Sequence, residues 1–269
     1  MFDEILNGTA PDGTSFDLFG PEDAPAIALI HGLGLSRGVW TDHLPALGRK
    51  YRVLNYDLYG HGDSAPPHEA ASLSVYSNQL ASLMDHLEIQ KASVIGFSIG
   101  GMINRRFAMD HSEKLQRLVI LNSPHDRGED AQKQVEERAA KVRAQGAEAT
   151  LEEALKRWFT PDYLASGAGP ESVRHWRTLV DPESYAQAAW VLANGVRELI
   201  QPATKITHPT LVMTCENDSG STPKMSFDIA AEIPGAITKI VPELQHLGLM
   251  EKPEAFTQPI LNFLEGEWT

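Results

Sequence analysis

The chain has 269 residues, 42% of them apolar, a formal net charge of −13 and one cysteine. That charge argues against nucleic acid or an anionic membrane as partner, and a lone cysteine excludes an intrachain disulfide. The length suits one α/β domain with an inserted segment and a large core. Ile5 to Thr9 and Ser15 to Phe19 read as a hairpin around Pro11-Asp12-Gly13. Ala26 to Ile30 and Tyr51 to Tyr56 are core strands, and Leu73 to Leu87 is an amphipathic helix. Ala92 to Ile95 reads as a buried strand, Gly101 to Ala108 as the start of a helix, and Leu118 to Leu121 as a further strand. From about Ser123 to Lys205 the strand signal vanishes. Four helices are predicted there: Ala131 to Gln145, Leu151 to Phe159, Glu171 to Val180 and Ser184 to Leu192. Strand–helix alternation returns with Pro209 to Cys215 and Ala236 to Val241. Such alternation means a mostly parallel sheet flanked by helices. The expected organisation is a core of residues 1–122 and 206–269, with residues 123–205 inserted as a helical cap over the carboxyl ends of the strands.

Gly96-Phe97-Ser98-Ile99-Gly100 joins the strand before it to the helix after it through a very sharp turn. Glycines at 96 and 100 let backbone pack closely on both sides of a residue forced into strained dihedrals. The turn holds the Ser98 hydroxyl clear of the fold at a helix N-terminus, as a nucleophile elbow does. A hydroxyl becomes nucleophilic only when a base takes its proton, and the base needs an orienting carboxylate. With this type of elbow the partners follow in the order serine, acid, histidine. Asp218 lies just past the strand ending at Cys215, where ligand crevices form. His246 follows the strand ending at Val241, on a loop that can reach Ser98. Glu216 and Asp126 compete with Asp218 for the acid, and Asn217 lacks the charge to stabilise an imidazolium. His31-Gly32-Leu33-Gly34 follows the first core strand, so the N–H groups of Leu33 and Ile99 together could hold an oxyanion.

Other residues are open to two readings. His31 suits a structural bond from its ring to nearby loop backbone better than a second base, and His61 in Gly60-His61-Gly62-Asp63-Ser64 belongs to a tight loop. Cys215, in a core strand, reads as a buried small hydrophobe. Trp158 either packs on the core or roofs the pocket. A carboxylate on the substrate would need a local cation in so acidic a chain, and loop position makes Arg127 and Arg37 the candidates, with surface solvation as the alternative. No paired Cys/His spacing suits zinc and no Gly-rich loop runs into Lys-Ser/Thr, so no metal or cofactor is expected. Met1-Phe2-Asp3-Glu4 is acidic, without a basic or apolar leader, and no apolar run approaches a membrane span. A cytoplasmic protein is the expectation. Apolar residues on the cap could also serve a homodimer contact.

Taken together, His31-Gly32-Leu33-Gly34, Gly60-His61-Gly62-Asp63-Ser64, Gly96-Phe97-Ser98-Ile99-Gly100-Gly101, Asp218 and His246 resemble the α/β-hydrolase superfamily over nearly the whole chain. Within it, the chain resembles the 3-oxoadipate enol-lactonases. The likeness runs through Lys156-Arg157-Trp158-Phe159-Thr160-Pro161-Asp162-Tyr163, the segment Asn122 to Gly128, and Leu211-Val212 through Asp218 to Thr222-Pro223. The resemblance implies a triad of Ser98, Asp218 and His246, and a cap closing over a small carboxylated enol-lactone. His31-Gly32 at the oxyanion loop is commoner in general esterases and C–C bond hydrolases. The expected activity is hydrolysis of a small ester or lactone through an acyl-enzyme. A C–C bond hydrolase, a cofactor-free perhydrolase, and a ligand-binding receptor on the same fold are the alternatives.

Overall fold

A computed structural model describes residues 5–267, so the acidic Met1 to Glu4 stretch lies outside the described residues. Eight strands form one sheet: β1 (Ile5–Thr9), β2 (Ser15–Phe19), β3 (Ala26–Ile30), β4 (Arg52–Tyr56), β5 (Ala92–Phe97), β6 (Leu115–Leu121), β7 (Thr210–Cys215) and β8 (Ile237–Val241). Their order is β1-β2-β4-β3-β5-β6-β7-β8. β1 and β2 pair antiparallel with each other, β2 also pairs antiparallel with β4, and every pairing beyond β4 is parallel. The antiparallel hairpin therefore sits at one edge, and the parallel strands present all their carboxyl ends to one rim.

Period-2 alternation sends successive side chains to opposite faces. Ala28, Ile30, Val94, Leu118 and Ile120 join one buried cluster with α2 (Leu73–His86) and α3 (Ile99–Asp110). Ile27, Leu29, Ile95, Phe97, Val119 and Leu121 join the other, packed by α1 (Leu44–Leu47) and by α10 and α11 (Gly248–Glu251 and Glu254–Leu264). A sheet covered on both faces explains why these strands read as unbroken apolar runs.

Between β6 and β7 the chain makes no strand. It forms α4 (Gly128–Gln145), α5 (Leu151–Trp158), α6 (Pro161–Ser166), α7 (Ala168–Thr178) and α8 (Pro182–Asn194), and α9 (Pro223–Ala231) follows β7. Helix starts carry their caps: the side chains of Ser72, Thr160, Asp181 and Thr222 each accept a backbone N–H in the first turn. Proline follows the last three of these, where its missing N–H does no harm. α6 has no counterpart in the sequence reading. At six residues it shows no hydrophobic period, although Thr160-Pro161 is a start signal. The helical stretch has a small cluster of its own, Ala139, Val142, Val180, Tyr185, Ala186, Ala189 and Ala193. Leu155, Phe159 and Val173 instead join one sheet-face core, and Ala188 and Val196 join the other. The inserted helices are thus fastened to the sheet by shared apolar contacts. No helix among the described residues is long and apolar enough to cross a membrane.

Candidate active site

Ser98 occupies the turn between β5 and α3 with φ 58° and ψ −116°. Few non-glycine residues tolerate such dihedrals, and they persist only where the surroundings over-determine them. Here the Ser98 N–H donates to Leu121 O at 2.8 Å, pinning the turn to the end of β6. A Cβ on Gly96 would lie 2.1 Å from Gly100 O, and one on Gly100 would lie 2.4 Å from Ile30 O. Both glycines are there for close backbone approach. The turn leaves Ser98 just 7% exposed, at the wall of a cavity.

Four more loops, each after a parallel strand, converge on that cavity. Ser98 Oγ–H donates to His246 Nε2 at 3.2 Å, and His246 Nδ1–H donates to Asp218 Oδ2 at 2.6 Å. Asp218 follows β7 and His246 follows β8. Asn122, the residue after β6, donates its side-chain N–H to the same Asp218 oxygen at 2.9 Å. The backbone N–H groups of Gly220 and Ser221 donate to the other carboxylate oxygen, each at 2.9 Å. Burial alone would raise the Asp218 pKa. The imidazole beside it and the bonds from Asn122 and Ser221 outweigh that and hold the carboxyl below its usual range. A carboxylate accepts only, so His246 must carry its proton on Nδ1, which leaves Nε2 free to accept from Ser98. Asn122 escaped the sequence reading. Its signal was positional, a polar residue directly after a core strand.

The rival acids lie elsewhere. Asp126 is exposed and caps the Gly128 N–H, and Glu216 is exposed and accepts from Glu243 N–H. Leu33, after β3, lines the cavity, while the Ile99 side chain sits in the core at the first position of α3. Main-chain N–H groups in a first helical turn lack intrahelical acceptors. His31 is fully buried. Its Nε2 accepts from Leu58 N–H at 2.9 Å, so Nδ1 holds the proton and donates to Gly32 O at 2.8 Å. Burial pushes its pKa down to about 4, so it is a neutral brace for the loop that carries Leu33. His61 is likewise buried, donates to Tyr59 O at 3.1 Å, and is pushed down to about 3 by burial with His31 alongside. Burial raises the Cys215 thiol to about 12, as expected for an inert core cysteine.

Trp158 lines the cavity, its ring centroid 6.0 Å from that of His246, and Trp158 O accepts the Leu247 N–H at 2.8 Å. The end of α5 is therefore tied to the histidine loop. Arg127 lines the cavity too, its guanidinium fixed by the carbonyls of Leu192 (2.9 Å) and Ala193 (3.3 Å). Arg37 does not line it, a correction to the sequence reading. It bonds Asp17 Oδ2 at 2.9 Å and Asp63 Oδ2 at 3.1 Å and pairs with the buried Asp57. Three carboxylates hold it in a separate cleft, a convergence that spacing along the chain does not reveal. Three other arginines, Arg138, Arg157 and Arg177, line the cavity unforeseen. For Arg138 a signal existed: Val135, Arg138, Ala139 and Val142 form one i, i+3, i+4, i+7 stripe, with a cation inside an otherwise apolar face.

The model of the α/β hydrolase fold family matches residues 25–253. The chain belongs to that family. Among curated members, it is 28% identical over 255 residues to 3-oxoadipate enol-lactonase 2 of Acinetobacter baylyi, covering 94% of this chain and 93% of the relative. It is 25% identical over 247 residues to the (E)-2-((N-methylformamido)methylene)succinate hydrolase of the same organism, covering 92% and 93% respectively. The crystal structure of the enol-lactonase from Burkholderia xenovorans superposes with a TM-score of 0.85 at 27% identity, covering 97% of this chain and 100% of that one. An α/β-hydrolase chain with enol-lactonase relatives is thus a hydrolase in its family.

Proposed function

We propose that this α/β hydrolase cleaves a small ester or lactone bearing a carboxylate, the enol-lactone class included, through an acyl-enzyme on Ser98. The observation that carries the reading is the unbroken hydrogen-bonded line Asp218–His246–Ser98, opening into a cavity lined by guanidinium groups. Two enol-lactonase relatives and one hydrolase of a succinate derivative support it.

In this reading Ser98 Oγ attacks the carbonyl carbon while His246 Nε2 takes its proton. The N–H groups of Leu33 and Ile99 receive the oxyanion, each such donor contributing roughly 3–4 kcal/mol of transition-state stabilisation. The tetrahedral species collapses, the acyl C–O bond breaks, and the leaving oxygen takes the proton from His246. A lactone's leaving group stays attached to the acyl chain, and an enol oxygen leaves readily because the charge developing on it is delocalised before the His246 proton arrives. Water, deprotonated by His246, then attacks the acyl carbon and releases Ser98. Residues 123–205 serve as the cap, with Trp158 roofing the acyl site and Arg127 drawing the carboxylate.

The test is steady-state turnover of p-nitrophenyl acetate and a panel of lactones by wild type and Ser98→Ala, with mass spectrometry after a phosphonate probe. Lactones or small esters should give the highest kcat/KM, and the adduct should map to Ser98. Ring-fission diketones at the top would favour a C–C bond hydrolase on the same residues. No turnover and no adduct would leave a binding protein.

A further inference from the structure

Arg127, Arg138, Arg157 and Arg177 all line the cavity that Ser98 and His246 face. Among the described residues none of the four forms an ion pair. The arginines that do are Arg37, Arg106, Arg143, Arg174 and Arg197. Three of the cavity guanidiniums bond neutral groups instead: Arg127 to Gln132 and two carbonyls, Arg157 to Glu153 O at 3.1 Å, Arg177 to Ala147 O at 2.8 Å. Arg177 is 2% exposed and its Nε has no partner. The single carboxylate in the lining, Asp218, is already committed to His246. In a chain of net charge −13, leaving four cations without an ion pair around one cavity is unfavourable unless an anionic ligand completes the site. Burial lowers the pKa of Arg127 to about 10, with the Arg138 charge adding to it, and lowers those of Arg138 and Arg157 although the Glu153 carboxylate offsets part of that.

Arg177 stands apart from the other three. The Arg177 guanidinium lies against Gly34, where an added Cβ would come within 2.5 Å of Nε, and stacks 4.4 Å from the Tyr185 ring centroid. That is the loop after β3, beside Leu33. Arg127 is anchored at the C-terminal end of α8 by the Leu192 and Ala193 carbonyls. Arg138 lies further along α4, and its charge acts on both Arg127 and Arg157. Each planar fork matches a carboxylate. One compact anion would serve one end and leave the other bare.

We propose, building on the Ser98 hydrolytic reading, that the substrate carries two carboxylates. One is received by Arg177 beside the β3 loop, the other by the Arg127, Arg138 and Arg157 group, with the scissile carbonyl between them at Ser98. The substrate class is then a dicarboxylated ester or lactone, one carboxylate more than a simple enol-lactone acid bears.

Calorimetric titration at fixed ionic strength, on wild type and on Ser98→Ala, would use succinate, glutarate and adipate against monocarboxylates of equal length and inorganic phosphate. The best dicarboxylate should bind about tenfold to a hundredfold more tightly than its monocarboxylate and than phosphate. That advantage should shrink in Arg177→Met and in Arg138→Met. Arg138 is half-buried, so its variant and the wild-type ranking decide the matter even where Arg177→Met fails to fold. Dicarboxylates no better than monocarboxylates, or phosphate equal to the best of them, would overturn the proposal. Ester turnover through Ser98 with no preference for doubly charged acids would sink this inference alone. Tight dicarboxylate binding with no turnover and no Ser98 adduct would uphold it as a binding site and sink the hydrolytic reading.

Discussion

Asp218→Asn is the sharpest test of the site, because the bonds around the carboxylate dictate how the amide must sit. Oδ1 accepts two backbone N–H groups, from Gly220 and Ser221, so the amide oxygen has to occupy that place. The NH2 then falls at the Oδ2 position, facing His246 Nδ1 and the Asn122 NH2. A donor facing Nδ1 turns His246 into the other tautomer, with its proton on Nε2 and nothing left to accept from Ser98. The fold survives and the base does not. Loss of the base by tautomer reversal lowers kcat by about 10⁴ in serine hydrolysis generally, or about 5 kcal/mol of transition-state stabilisation. The assay is p-nitrophenyl acetate turnover on Asp218→Asn, Glu216→Gln and Asp126→Asn, with circular dichroism to confirm folding. A drop of less than tenfold in Asp218→Asn, or an equal drop in either exposed-acid variant, would refute the reasoning.

Ser98→Gly should abolish turnover yet raise the melting temperature by several degrees. Relief of the strain at φ 58° is worth about 1–3 kcal/mol, and calorimetry showing an unchanged or lower Tm would mean the elbow stores no strain. Asn122→Ala should lower kcat by about 10- to 100-fold with KM little altered, since one bond to a buried charge is lost; an effect confined to KM would point instead to substrate contact. Arg37→Met should reduce stability by about 3–5 kcal/mol in urea titration, because it strips Asp57 of its partner. KM for carboxylated esters should stay the same, and a rise would return Arg37 to the site. His31 and His43 are buried with pKa values pushed down to about 4, so the unfolded chain, near 6.5, takes up protons first as pH falls. Their contribution is whole above about pH 6.5 and is lost on the way to pH 4, roughly 3 kcal/mol each. Far-UV circular dichroism should show unfolding between those limits, and a urea midpoint unchanged from pH 7 to pH 4 would contradict it.

Much of this was legible along the chain because it rests on local rules. Short apolar runs ending in turn residues located β3, β5, β7 and β8. The paired glycines around Ser98 signalled close backbone approach, and the residues just past β7 and β8 had to lie on the rim that carries Ser98. The ends of elements were less clear. β5 runs on to Phe97 and α3 starts at Ile99, since the elbow spends a single residue on the change from strand to helix.

What the sequence by itself determined is which serine, histidine and acid come together, and the rim of the sheet on which they meet, because each follows from residue type and strand order. What only the tertiary structure decided is the charge of the cavity. Arg127, Arg138, Arg157 and Arg177 lie on or beside three different helices, and Arg37 looks equivalent to them until Asp17, Asp57 and Asp63 close around it. A helical period shows which side of an element is covered. It carries no information on what the neighbouring element sets opposite, and the effect of a charge depends on those neighbours and on the water they displace.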